Sequence, residues 1–319
     1  MVFVQADVNY ATQYAQELAD AYPYLSYFGA IFGGENSRKY RPVSGKNVAI
    51  PSITVSGAVA ADRDDITGAF SRNWNNSWQI VACQQDREWS TLIDPLDIVE
   101  TNDVATIANV TKAFNEQQKV PEMDSFCVST LATIAITASN ADTTALTAAN
   151  ILEQWDSYLA TMTNARVNRD RLIAYMTPAV YKLLKEAAGI TRFIDAGTGI
   201  RNVDRNVGKL DGVSIVEVPA DLMKTAYNYA EGWVAAEGAG QINILFVDPD
   251  AVAAPIVYDT SMIGAPTAQN KGKYLYYEHY YYGTFILTNR TAGVYVNYTA
   301  AADPDTPADP DTPADPDAE

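Results

Sequence analysis

Residues 241–298 constrain this chain more than any other stretch. They read QINILFVDPDAVAAPIVYDTSMIGAPTAQNKGKYLYYEHYYYGTFILTNRTAGVYVNY. Four runs rich in Val, Ile, Phe and Tyr are divided by Asp248-Pro249-Asp250, by Gly264 to Gly272 and by Asn289 to Gly293. Turn residues at such intervals predict strands, and the expectation is one small late sheet. Two long helical patterns come earlier in the chain. Early helices and late strands must therefore pack on one another across a long intervening stretch.

The length of 319 residues fits one large or two ordinary domains, and a hydrophobic content of 48% fits a folded chain. No run reaches the roughly 18 apolar residues of a membrane span, so no transmembrane helix is expected. The first twenty residues lack the basic start and cleavage pattern of a signal peptide, which predicts a chain that starts out cytoplasmic. Cys83 and Cys127 sit in unrelated contexts and are expected to stay reduced. Of the formal charge of −17, residues 301–319 supply seven acids and no base, leaving −10 on the first 300 residues. A body of that sign offers no broad basic face for specific nucleic-acid binding. The cluster Arg38-Lys39-Tyr40-Arg41 reads as a solvated surface.

Residues 1–36 form an arm weighted with Tyr10, Tyr14, Tyr22, Tyr24, Tyr27 and Phe28 and closed by Gly33-Gly34. With many aromatics and no core of its own, such an arm packs on something else. Residues 40–98 read as two long strands around a polar loop. The first carries Val48, Ile50, Ile53, Val55 and Val59, the second Trp78, Ile80, Ala82, Trp89, Thr91 and Ile93. Two strands are not stable alone in water, so the hairpin lies on the body or on a partner. A helix capped by Asn102 or Asp103 follows, bent at Pro121, with Met123, Phe126, Cys127, Leu131 and Ile134 at i, i+3, i+4 spacing. One long bent helix over 103–137 is expected. Residues 140–240 read as an α/β unit: a helix with Leu152, Trp155, Leu159 and Met162 on one face, a strand over 172–176, a helix after Thr177-Pro178, and an Asp211-Gly212 turn before a second strand.

Chemistry is sparse. His279 is the single histidine, and no close cysteine pair accompanies it, which argues against zinc. Neither a Gly-x-Ser-x-Gly elbow nor a phosphate-binding Walker loop occurs, and Gly197-Thr198-Gly199 lacks the third glycine of a dinucleotide fingerprint. Asp62, Asp64, Asp65, Asp248 and Asp250 read as loop and turn residues rather than as carboxylate pairs. Tyr274, Tyr276, Tyr277, Tyr280, Tyr281 and Tyr282 form a near-continuous run that suggests a strand covered by protein on both faces. No catalytic, cofactor-binding or metal-ligating residue is singled out.

Three segments carry a resemblance. Lys119-Val120-Pro121-Glu122-Met123-Asp124-Ser125-Phe126 resembles the spine-helix signature of tailed-bacteriophage major capsid proteins. Leu210-Asp211-Gly212-Val213-Ser214-Ile215-Val216-Glu217-Val218-Pro219 resembles a second segment of that family, and residues 241–298 match the remaining parts in the same order. The resemblance implies an α+β chain with the Hong Kong 97-type capsid fold: N-terminal arm, extended E-loop hairpin, peripheral P domain (long spine helix plus antiparallel sheet) and α/β axial A domain. Mapped here, the arm is 1–36, the E-loop 37–98, the spine-helix part of the P domain 99–140, the A domain 141–240, the late-sheet part of the P domain 241–298, and an acidic, Pro-rich disordered tail 299–319.

The implied function is a shell-forming head protein, not an enzyme. It would assemble as hexamers and pentamers into an icosahedral virion capsid enclosing double-stranded DNA, after assembly in a bacterial host cytoplasm. Implied partners are further copies, a portal protein, a separate scaffolding protein or none, a decoration protein in some shells, and DNA held non-specifically; no membrane and no cofactor is implied. Some relatives crosslink subunits through a lysine and an asparagine, but Lys46 has no matched partner here, and that chemistry is not carried over. An encapsulin-type nanocompartment shell is the first alternative. A carbohydrate-binding or hydrolytic protein using the tyrosine strand is the second.

Overall fold

The computed structural model describes residues 26–34, 37, 41–44, 46–58, 74–100, 106–187, 194–195, 202–203, 207–230 and 232–301. Most of the arm, the hairpin tip with Asp62, Asp64 and Asp65, the segment around Gly197-Thr198-Gly199 and the acidic repeats lie outside these residues.

A six-stranded sheet forms the centre, in the order Ala141–Asp142, Val294–Thr299, Gln241–Val247, Ile173–Met176, Val213–Glu217, Lys209–Leu210. Gln241–Val247 is almost continuously apolar because both of its faces are covered. Leu245 and Val247 meet Leu131 and Ala135 of the helix Val120–Thr137, together with Phe28 and Ile31 from the end of the arm. Ile244 and Phe246 face the helices Ile151–Asn164 and Pro178–Glu186, through Trp155, Leu159, Met162 and Leu184. Ile242 shares the face of Leu245 although it is two residues from Ile244; a register shift between Ile242 and Ile244 switches the faces there. Asp211 (φ 51°) and Gly212 (φ 87°) both adopt left-handed backbone, as expected of a tight Asp-Gly turn between Lys209–Leu210 and Val213–Glu217.

The late segment is not one sheet. Its outer runs, Gln241–Val247 and Val294–Thr299, belong to the central sheet, while Tyr274–Tyr282 lies between Ile256–Gly264 and Gln85–Ile93 in a separate antiparallel sheet. Burial need divides them. The outer runs require cover on both faces, whereas Tyr274–Tyr282 alternates buried and partly exposed residues. The second long strand expected before residue 98 also divides. Trp74–Ala82 pairs with Asn47–Val55, which in turn pairs with Arg41–Ser44, and the chain then crosses to the other sheet through Cys83-Gln84.

The spine helix begins at Ile107, with the Thr106 hydroxyl accepting from the Asn109 amide at 3.3 Å; residues 101–105 lie outside the described set. It runs as Ile107–Phe114, widens into a π-helical turn at Asn115–Lys119, and continues as Val120–Thr137. Pro121 has no amide hydrogen to give back to the preceding turn, and the wide turn falls just before it.

Candidate assembly surface

The hairpin Asn47–Val55/Trp74–Ala82 has two unlike faces. Its register sets Val55 opposite Trp74, Ile53 opposite Asn76 and Ala49 opposite Ile80. Strand alternation then places Ile53, Val55, Trp74, Trp78 and Ile80 on one face. These five are between 47% (Trp78) and 74% (Val55) exposed. The opposite face carries Thr54, Asn75 and Ser77 toward the tip, with Gln79, Val48 and Ile50 at the root. The root is seated on the body, where Val48, Ile50 and Cys83 bury against Ala253 and Phe285. Isolated exposed apolar residues are ordinary; five on one face of the hairpin form a continuous apolar patch.

The sheet of Gln85–Ile93, Tyr274–Tyr282 and Ile256–Gly264 lies over the spine helix. Tyr276, Glu278, Tyr280 and Tyr282 are buried beneath it, while Tyr277, His279 and Tyr281 are only half-covered on the other face. The expectation of cover on both faces therefore holds for one face of the isolated subunit. Asp86, Glu88, Ser90 and Leu92 alternate onto the same open face. Beneath the sheet, Trp89 stacks on Phe114 of the helix with ring centroids 4.0 Å apart.

A buried polar cluster ties sheet to helix. Arg87 grips Glu122 with two nitrogens, Nε at 2.7 Å from Oε1 and Nη2 at 2.9 Å from Oε2, and its Nη1 donates to the Tyr229 carbonyl at 2.6 Å. The Tyr282 hydroxyl donates to Glu122 Oε1 at 2.9 Å. Burial, reinforced by the Glu122 charge, pushes the Tyr282 phenol far above its ordinary range. Burial opposes the Arg87 charge, but its bond to Glu122 and that carboxylate's charge raise its pKa nonetheless. Lys119 pairs with Glu278 and lies 4.4 Å from the centre of the Tyr280 ring, and the Tyr276 hydroxyl donates to Glu278 at 2.9 Å. Farther along the helix, buried Asp124 accepts from the Ser26 hydroxyl at 2.9 Å and the Tyr27 amide at 3.1 Å, pinning the end of the arm. Neither a motif nor a spacing in the sequence announces this cluster. Charged residues inside a helix pattern that predicts burial, Glu122 and Asp124, are the one signal that points to it.

His279 Nε2 is 2.7 Å from Asp86, whose carboxylate also pairs with Lys46. Asp248 accepts from the Asp250 amide at 3.1 Å within their turn, and Asp250 pairs with Arg171. Cys83 and Cys127 are free and buried. Burial drives the Cys127 thiol up to about 12, so it remains protonated and inert. Among the described residues no group of three or more His, Cys, Asp or Glu could hold a metal ion, and no helix is long and apolar enough to cross a membrane.

No family model matches the sequence, and no curated protein matches it. Solved structures do. The chain is similar to a chain in the asymmetric unit of the bacteriophage PhiM1 mature capsid, at 14% identity and TM-score 0.58, over 94% of this chain and 91% of that one. The capsid structure of the cyanophage P-SCSP1u matches at 12% identity and TM-score 0.59, over 92% and 94%. The capsid of Ralstonia phage GP4 matches at 14% identity and TM-score 0.53, over 96% and 100%. The α+β architecture is thus the fold of phage capsid subunits. It spans nearly the whole chain.

Proposed function

We propose that this chain is a major capsid protein that self-assembles into a closed shell around double-stranded DNA. The observation that carries the reading is the aligned apolar face of the projecting hairpin, on a chain whose fold matches phage capsid subunits along almost its full length. A second copy is the occupant that fits. In a shell every subunit presents the same hairpin and receives one, so repeated heterologous contacts close into rings and the contact angle sets the curvature. Under this reading residues 1–36 are the arm, 37–98 the E-loop, 99–140 with 241–298 the P domain, and 141–240 the A domain. The pairing of Gln85–Ile93 with Tyr274–Tyr282, beyond the crossing at Cys83-Gln84, supports counting that strand with the P-domain sheet within this reading. The role is structural rather than enzymatic.

Hexamers and pentamers, a portal at one vertex and a virion location follow from the same reading. Contact with DNA is sparse and sequence-blind, because a body of net charge −10 neutralises few phosphates. Expression of the chain, alone and with a scaffolding protein if its genomic neighbourhood encodes one, should give closed particles by electron microscopy. Deleting residues 57–76 should leave a subunit with an unchanged unfolding midpoint that no longer assembles. Normal shells from the deletion would overturn the hairpin's role, and a monodisperse monomer from the intact chain under both conditions would overturn the capsid reading.

A further inference from the structure

After its second strand the hairpin joins the body through Cys83 and Gln84, and the contacts around that joint are of two kinds. One is apolar: Val48, Ile50 and Cys83 against Ala253 and Phe285. Apolar burial is non-directional and holds the root without fixing its angle. The other is polar and directional, and it brackets the joint on both sides. On one side Lys46, in the turn that starts the hairpin, pairs with Asp86, the second residue of Gln85–Ile93 in the body sheet. Asp86 also meets His279 at 2.7 Å, and the His279 ring stands edge-on to Tyr281 at 4.8 Å. Lys46 lies 5.2 Å from the centre of the same Tyr281 ring. On the other side Gln79 of the hairpin donates to the Ile286 carbonyl at 3.3 Å and accepts from the Thr288 amide at 3.3 Å. At the joint itself Gln84 accepts from the Thr284 amide at 3.0 Å, and a Cβ at Gly283 would lie 2.7 Å from the Phe285 ring.

We propose that the Lys46–Asp86–His279 cluster is a latch that sets the angle of the hairpin to the body, and that Asp86 is its positioning residue. Lys46 is the only member contributed by the hairpin sheet's own turn; Asp86 and His279 belong to two neighbouring strands of the body sheet. The side chains of Lys46 and Asp86 are 45% and 38% exposed, and exposed ion pairs add little to stability. A contact that orients without contributing much stability is suited to a joint that must take slightly different angles at different places in one assembly. The inference rests on the capsid reading for its consequence, since hairpin angle becomes shell curvature only in a shell. Its geometry can be tested without one.

Two measurements separate the questions. In the unassembled subunit, spin labels at Gly57→Cys in the hairpin and Lys182→Cys on the helix Pro178–Glu186 report the hairpin angle as a distance distribution. Lys46→Glu and Asp86→Lys should each broaden or shift that distribution, and the double exchange should restore it, with the unfolding midpoint unchanged throughout. A distribution that stays the same in the single variants overturns the latch, whatever the intact chain assembles into. In assembly reactions the single variants should give particles of altered or mixed diameter, and the double exchange should return the wild-type diameter. Wild-type diameters from both single variants would also overturn the latch while leaving the capsid reading intact.

Discussion

Glu122 is 3% exposed, and a guanidinium and a phenol supply the contacts that water no longer does. Removing one partner leaves the other buried and unpaired, which is costlier than removing both. Glu122→Ala should therefore lower the unfolding free energy of the subunit by about 3–5 kcal/mol in urea titrations. The paired change Glu122→Leu with Arg87→Met should recover most of that loss. A single variant as stable as wild type would mean that the cluster does not join sheet to helix. Asp142 offers a pH readout. Burial would raise its pKa, but hydrogen bonds from Tyr158, Thr144 and Asn297 outweigh burial and lower it. A carboxyl with a depressed folded-state pKa contributes stability that is present above its unfolded value, near 4, and is lost as pH falls through the folded one. Asp142→Asn should thus narrow its stability gap to wild type as the pH is lowered from about 6 toward 3. A gap constant across that range would remove Asp142 from the acid response.

Among the elements, the spine helix joins early chain to late chain. Phe126 packs edge-on against Tyr282, 5.4 Å between centroids, and against Tyr229 at 5.8 Å, while Leu131 reaches the central sheet. Phe126→Ala should cost about 3–5 kcal/mol and give largely insoluble subunit, and Phe126→Leu should keep most of the stability. Midpoints that do not separate the two variants would place Phe126 outside the core. This helix was legible because Met123, Phe126, Cys127, Leu131 and Ile134 repeat at helical spacing, and the Asp211-Gly212 turn because only a few residue pairs accept two left-handed positions. The division of residues 74–93 into two strands was not. Alternation continues on both sides of Cys83-Gln84, and the crossing is decided by partners far away, Asn47–Val55 for one strand and Tyr274–Tyr282 for the other. The late segment hid the same kind of choice, although the continuous apolar run of Gln241–Val247, against the alternation of Tyr274–Tyr282, carried its trace. The candidate surface was half legible: the apolar residues of the hairpin are visible in the sequence, but their alignment on one face depends on the pairing register.

At the scale of the whole molecule, charge is unevenly placed. Residues 302–319 read ADPDTP-ADPDTP-ADPDAE, and residues 301–319 hold seven acids and no base, against −10 on all the rest. Residues 302–319 lie outside the described structure, and on the capsid reading electrostatics decide their place in an assembled particle. Each inward-facing tail would set seven negative charges against packaged DNA, multiplied over every subunit, whereas outward-facing tails meet solvent and counterions. The repeats carry no apolar side chain larger than alanine and proline, so burial against the shell offers little to offset that repulsion. If the chain forms such a shell, the tail should therefore face the exterior of the DNA-filled particle. Brief proteinase K treatment of intact particles, followed by mass measurement of the subunit, should show loss of the C-terminal repeats with the shell still closed by electron microscopy. Full protection of the tail until the particle is opened would place it inside or docked and overturn the exterior placement.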